Sequence, residues 1–251
     1  MNEGVAQLGI LQFSLIYLLL LVVLAVMKKA KVNQPKLLLV GSIRMTVQLV
    51  LAGFLLTAIF QNPHPVFTAL YLVAMVAFSI HRAISKNKWL NPRFKLAVAA
   101  SLGGSGLAVL AYFVLVVVQV NFFNPQYTIP LAGMIIGNGL TGVNLALKSF
   151  GESLDARRSQ LESLLNLGVE PDRILRPFAN NAFETALLPT MNNMAGMGII
   201  FLPGMMTGQI LSGTLPTTAI LYQIAIMIAL CTVVCLASFC ALTFGYRTLY
   251  N

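Results

Sequence analysis

An all-α protein that crosses the membrane about seven times is what this sequence predicts, on three observations. Hydrophobic residues fill 58% of the 251 positions and charged residues only 9%. The mean hydropathy of +0.83 is far above that of a soluble domain, which needs a charged surface around one core. The few ionisable groups gather between long apolar runs, each near the roughly 20 residues a helix needs to cross the hydrocarbon core.

Seven runs satisfy that length, at residues 8–27, 37–60, 66–83, 96–120, 129–147, 178–202 and 217–244. Glu3 and no basic residue precede the first, whereas a secretory signal opens with positive charge; a retained anchor is expected. Pro35, Pro63, Pro65, Pro92, Pro125, Pro130 and Pro216 punctuate the gaps, as expected where a missing amide hydrogen stops a helix. The fourth run carries small residues at 101–106, which predict close helix packing. The fifth carries Gly133 and Gly137 as GxxxG, read first as a packing seam. The last holds Cys231, Cys235 and Cys240, with no CxxC and no matching histidine cluster, so buried packing is expected. His64 and His81 are predicted at opposite membrane faces and do not make one site.

Orientation follows from the basic residues, because cytoplasmic loops retain Lys and Arg. With the amino terminus outside and the carboxyl terminus inside, Lys28, Lys29, Lys31 and Lys36 fall in the first inner loop. Arg82, Lys86, Lys88, Arg93 and Lys95 fall in the second, and Lys148, Arg157, Arg158, Arg173 and Arg176 in the third. Arg247 is at the inner carboxyl end and Arg44 near the inner end of the second span. Residues 61–65, 121–128 and 203–215, the outer segments, hold none. The net charge of +9 therefore reflects topology and anionic inner-leaflet lipid, and no nucleic-acid partner is expected.

The third inner loop, residues 148–176, is the one long hydrophilic element, and Glu152, Asp155, Glu162, Glu170 and Asp172 place most of the acids there. Leu154, Leu161, Leu164, Leu165 and Leu167 form an apolar stripe at helical spacing. The pattern predicts a helix over residues 153–167, capped by Gly168 and stopped by Pro171, then a short helix over 172–175. Helix, glycine and proline in this order resemble the coupling segment of ABC-transporter permeases. Glu162 followed six residues later by Gly168 matches the opening of the import permeases' glutamate-alanine-alanine motif, with Ser163 and Leu164 in place of the alanines. A helix lying on the inner membrane surface is the competing reading of the same pattern.

Further stretches lie in family order from the second span to the seventh: RMTVQL at 44–49, IPLAGMIIGN at 129–138, LGVEP at 167–171, ALLPT at 186–190, LPGMMTG at 202–208 and YQI at 222–224. On these the chain resembles the FetB-type permeases, iron-export ABC membrane subunits related to plant aluminium-tolerance permeases. The resemblance implies one permease domain over residues 1–251 and a multi-pass place in the bacterial inner or cell membrane. It also implies pairing with a second copy and coupling to a separate cytosolic ABC ATPase that uses ATP and Mg. Asp155, Arg157, Arg158, Glu162, Gly168, Pro171 and Arg173 are the expected ATPase contacts. One departure bears on substrate: relatives carry an Asp and a Lys after the ALLPT-like stretch, where this chain has Asn192 and Ala195. A basic residue can also occupy the position of Glu184 in relatives.

Residue chemistry supplies pathway candidates of its own. Asn138, Thr141 and Asn144 recur at near-helical spacing in the fifth span, and polar side chains at that depth should face protein or water. The sixth span is the most polar, with Asn180, Asn181, Glu184, Thr185, Thr190, Asn192 and Asn193, and Pro189 predicts a kink or break. Glu184 is the single acid predicted within the spans, read either as functional or as paired with Arg173 or Arg176. Arg44, with Gln48 a turn further in, either snorkels or joins an interior network. Met191, Met194, Met197, Met205 and Met206 are five of the chain's 11 methionines; adaptable packing competes with soft-metal ligation for them, and no metal site is assigned.

The sequence lacks GxxxxGK[ST], HExxH and GxSxG, so no cofactor is expected on this chain and it is not expected to be an enzyme. The expected function is the permease subunit of an ABC exporter for iron or another metal ion. An ABC permease for a different small substrate, an intramembrane enzyme and a non-transporting assembly subunit stay open.

Overall fold

The computed structural model describes residues 9–32 and 35–250; Glu3 and the start of the first predicted span lie outside them. The described chain is helical throughout: α1 (Ile10–Lys29), α2 (Pro35–Gln61), α3 (Pro65–Lys86), α4 (Pro92–Tyr112), α5 (Pro125–Ala156), α6 (Arg158–Asn166), α7 (Pro171–Gly196), α8 (Gly204–Leu211) and α9 (Pro216–Tyr246). A π-helical turn, Phe113–Val117, extends α4, and a 3-10 turn, Arg247–Leu249, follows α9.

Proline sets most of the starts. Residues 35, 65, 92, 125, 171 and 216 each open a helix, where the missing N–H is one that would lack an intrahelical partner anyway. Polar caps act beside them: Asn91 Oδ1 accepts from the Phe94 amide at 2.6 Å and Asn124 Oδ1 from the Gln126 amide at 3.1 Å. Pro130, Pro177 and Pro189 do otherwise and lie inside α5 and α7. The break expected at Pro189 does not occur there. The helix ends at Gly196, where Gly198 takes φ +82° and its amide donates to the Phe201 carbonyl at 3.1 Å.

Six of these helices are long and apolar enough to cross a membrane. The seventh expected span corresponds to α7, which has the length, 26 residues, but carries Asn180, Asn181, Glu184, Asn192 and Asn193 and so lacks the apolarity. It is shorter than predicted at its end and longer at its start, absorbing the separate helix expected at 172–175.

The chain divides into two compact units, the first made of Met1–Asn62 with Leu211–Gly213 and the second of Pro63–Ile210 with Thr214–Asn251. In the first unit α1 and α2 are predominantly apolar with no distinct polar face, Arg44 and Gln48 being the exposed exceptions on α2, and among the described residues they bury only Ile59, the pattern of helices solvated by lipid. Tyr17 hydrogen-bonds Thr46 between them. Because the Thr46 hydroxyl donates to the Ser42 carbonyl, the tyrosine is the donor.

The second unit is built around α5 and α9, which pack on one another and on α4 and α7, with α3 against α4 and α5. One buried cluster joins Phe94, Val98, Leu102, Leu147, Phe150 and Leu242 to the small residues Ala182, Ala186 and Ala237. A second holds Leu110, Phe113, Val114, Ile135, Ile136 and Val233. The close approach of α5 to α9 falls at Gly142, where an added Cβ would meet Val234 Cγ1 at 2.7 Å, and at Gly139, 3.3 Å from Val233. The expected GxxxG seam is therefore displaced: Gly137 has nothing within 4 Å and Gly133 only Met75 at 3.5 Å. In the fourth span, Gly103 and Gly106 do pack, against α3 and α5, while Gly104 is open. The three cysteines are half-buried free thiols.

Candidate substrate pathway and coupling segment

Beyond Ile174, the inward face of α7 is made of the small residues Ala179, Ala182, Ala186, Thr190 and Gly196, which let it pack closely on α5 and α9. Its outward face carries Asn180, Asn181, Glu184, Met191 and Asn192, all exposed. α7 is not among the six helices apolar enough to span, and lipid would be a poor neighbour for that face, because a charged side chain at the centre of a spanning helix costs about 2.5–3.5 kcal/mol of insertion free energy. Glu184 makes none of the ion pairs among the described residues. Arg173 pairs instead with Glu170 at 3.7 Å, and both Arg173 and Arg176 stand two or more helical turns from Glu184.

On α5 the expected polar set divides. Asn138 and Thr141 are exposed, and each bonds its own helix, the Asn138 amide donating to the Met134 carbonyl at 2.8 Å and the Thr141 hydroxyl to the Gly137 carbonyl at 3.0 Å. Asn144 turns inward and accepts from Asn87 Nδ2 at 3.4 Å, making it a structural partner of α3. Further along, Ser149 Oγ donates to Thr185 Oγ1 at 3.5 Å and joins α5 to α7. Thr190 is turned into the core, 9% exposed. Arg44 and Gln48 are exposed on α2 in the first unit, with no hydrogen-bond partner among the described residues.

Two clefts flank α8. One, of about 420 Å³, is lined by Tyr127, Pro130, Met134, Met205, Gln209 and Tyr222, drawing on three of the sequence stretches singled out above. The other, of about 480 Å³, is lined by Met194, Met197, Met206, Met227 and Gln223 among others. Gln223 and Met227 were not legible as site residues, although a lone Gln within an apolar span was the available signal. No group of three His, Cys, Asp or Glu able to hold a metal ion occurs among the described residues.

The hydrophilic loop is two helical pieces rather than one. α5 continues to Ala156, Arg157 leaves the helical region at φ −120°, ψ 26°, and α6 follows with no buried residue. Leu154, Leu161 and Leu164 are half-buried, while Leu165 and Leu167 are exposed, Leu167 by 79%. Gly168 takes φ +78°; its amide donates to the Leu165 carbonyl at 3.0 Å, and that of Val169 to the Leu164 carbonyl at 3.1 Å. This is the Schellman arrangement, whose left-handed residue is usually glycine, which adopts it without a Cβ penalty. Arg158 pairs with Glu162 at 3.0 Å on the solvated face, and the Arg157 guanidinium lies 5.7 Å from the Phe178 ring centre. Asp155 is exposed at the end of α5. Pro171 opens α7, and Asp172 in its first turn accepts hydroxyl bonds from Tyr246 at 3.0 Å and Tyr250 at 3.1 Å. The Tyr250 hydroxyl titrates above its ordinary value, through loss of hydration and then through its bond to Asp172. These bonds tie the exit of the loop to the end of α9.

Long apolar helices, one polar helix packed through small residues, and an exposed capped loop define a multi-pass α-helical membrane protein. The family model described as "Uncharacterised protein family (UPF0014)" matches residues 10–250, and the chain belongs to that family. It is 32% identical to the UPF0014 membrane protein slr1647 of Synechocystis over 83% of this chain and 81% of that one. It is 30% identical to the Escherichia coli protein named "Probable iron export permease protein FetB", over 95% of this chain and 92% of that one. With the Arabidopsis thaliana protein ALUMINUM SENSITIVE 3 it shares 31% identity over 73% of this chain and 66% of that one. No solved structure matches.

Proposed function

We propose that this chain is the membrane-spanning permease subunit of an ABC exporter for iron or another metal ion. It works as a pair of identical chains in the cell membrane, amino terminus outside and carboxyl terminus inside. The observation that carries the reading is the outward face of α7: Asn180, Asn181, Glu184 and Asn192 are turned away from their own fold, and the proposed topology makes α7 the seventh span, where lipid would be an unfavourable neighbour for them. A second copy facing that surface encloses it, together with Asn138 and Thr141, as a polar pathway. Export of a metal is supported by the printed name of the Escherichia coli relative.

Energy comes from a separate cytosolic ATPase that binds ATP and Mg. It docks on α6 and the turn at Gly168, where Leu165 and Leu167 offer apolar contacts and Arg157, Arg158 and Glu162 a charged rim. Nucleotide binding drives alternation only if the closed ATPase dimer favours one permease conformation over the other. The single α7 helix, running from Pro171 at the docking site to Gly196 beyond the polar face, is the lever. The clustering of Lys and Arg in this loop and the other proposed inner loops supports a cytosolic, ATPase-facing side for it. Asn192 and Ala195 stand where the resemblance implies an Asp and a Lys, so the transporter class rests on firmer ground than iron, and a different substrate is the second reading.

Affinity purification from native membranes under mild extraction tests the reading. A stoichiometric ABC ATPase is expected with the wild-type chain. Absence of any ATPase, confirmed by crosslinking before extraction, overturns it and favours an intramembrane enzyme or a non-transporting assembly subunit.

A further inference from the structure

We infer that the cleft between the end of α7, α8 and α9 is a binding site for a soft, thiophilic monovalent cation of the Cu(I) class. Four of its ten lining residues, Met194, Met197, Met206 and Met227, are methionine, in a chain with 11 methionines among 251 residues. They come from three helical segments and the turn after α7, so no single helix's packing accounts for the gathering. Met206 and Met227 are each 8% exposed and Met194 39%, which gives two thioethers in the wall and one at the mouth.

The independent pointer is Gln223. It is 7% exposed, its Nε2 donates only to the Met197 sulfur at 3.8 Å, and its Oε1 has no partner among the described residues. A buried amide oxygen without a partner is costly, and a cation in the cleft removes that cost. Neutral sulfur donors suit a soft, polarisable, singly charged ion and offer little to hard, highly charged ones; the Gln223 carbonyl adds only a dipole aimed at the positive charge. The cleft, about 480 Å³, exceeds a bare ion. Methionine's three rotatable bonds allow the thioethers to close on it, and Gly196 and Gly198, the latter at φ +82°, bracket Met197 with pliable backbone.

The site does not depend on the transporter reading, because binding is measured on the full-length chain alone. In lipid nanodiscs, Ag(I) is titrated calorimetrically and Cu(I) by competition with bicinchoninate under anaerobic, reducing conditions, with Fe(II) and Al(III) in parallel. The expected result is one Ag(I) or Cu(I) per chain, unaffected by C231S/C235S/C240S, and no comparable binding of Al(III). Replacing the four methionines together by leucine abolishes binding, and Gln223→Leu weakens it about tenfold, the scale of losing a supporting ligand. X-ray absorption of the Cu(I)-loaded, cysteine-free chain shows a sulfur first shell, a readout that needs no methionine variant to fold. No stoichiometric binding, binding that disappears with the cysteines, a first shell without sulfur, or retained binding in a folded four-leucine variant overturns the proposal. So does a lipid molecule held in the cleft that Ag(I) does not displace.

Discussion

The turn at Gly168 can be graded by substitution. Its φ of +78° costs an alanine about 1–2 kcal/mol, the left-handed penalty of a Cβ, while asparagine tolerates the region better. The turn has open space around it, nothing lying within 4 Å of an added Cβ, so the backbone term stands alone, without a clash. Proline is excluded twice, by its fixed φ near −65° and by losing the amide that donates to Leu165 at 3.0 Å. If the ATPase binds only the capped conformation, its affinity falls by the lost population of that state. About 1–2 kcal/mol corresponds to roughly 5–30-fold for Gly168→Ala; Gly168→Asn is expected near wild type and Gly168→Pro without measurable binding. The assay is titration of purified ATPase onto nanodisc-held permease, with helicity and oligomeric state checked for each variant. Equal affinity across wild type, Ala and Pro refutes the docking argument.

Other perturbations read different parts of the account. Gly245→Ala drives a Cβ into the Phe94 ring, which is fully buried and held edge-on to Trp89; overpacking of about 1–3 kcal/mol is expected as a lowered Tm, whereas Gly137→Ala, with nothing within 4 Å, is expected to be neutral. Glu184→Leu should leave folding and ATPase binding intact and abolish metal flux; unchanged flux removes Glu184 from the pathway. Asn144→Ala should cost about 1 kcal/mol of stability through the lost Asn87 bond with flux retained, separating the inward residue from the outward pair. The raised pKa of Tyr250 means its bond to Asp172 contributes below the ordinary value of 10.0 and is lost as pH rises through the elevated one. An alkaline fall in Tm that Tyr250→Phe removes is the expected signature, small because the group is exposed.

The positions of the helices were readable because lipid imposes one length and proline marks the starts; six of the nine described helices open on it. The polar character of α7 was also readable, since seven polar residues in one span are costly wherever they point. Direction was not. Asn138, Thr141 and Asn144 share a spacing, yet about 100° per residue leaves Asn144 far enough round to meet Asn87. The break at Arg157 was hidden because Leu154, Leu161 and Leu164 keep helical register across it. At Pro189, of the kink or break expected, the break does not occur: the helix runs through it, held by small residues against α5 and α9, and the chain turns where Gly198 permits positive φ. The packing seam was assigned to GxxxG by pattern, but α9 meets α5 at Gly139 and Gly142, a contact no local motif encodes.

ATP-driven metal movement in sealed proteoliposomes tests the central claim most directly. With the permease and its copurified ATPase reconstituted in one orientation, the account predicts ATP-dependent iron flux away from the ATPase side, lost in Glu184→Leu. ATP hydrolysis with no flux of iron or any other metal, or flux that proceeds without the ATPase, would contradict it.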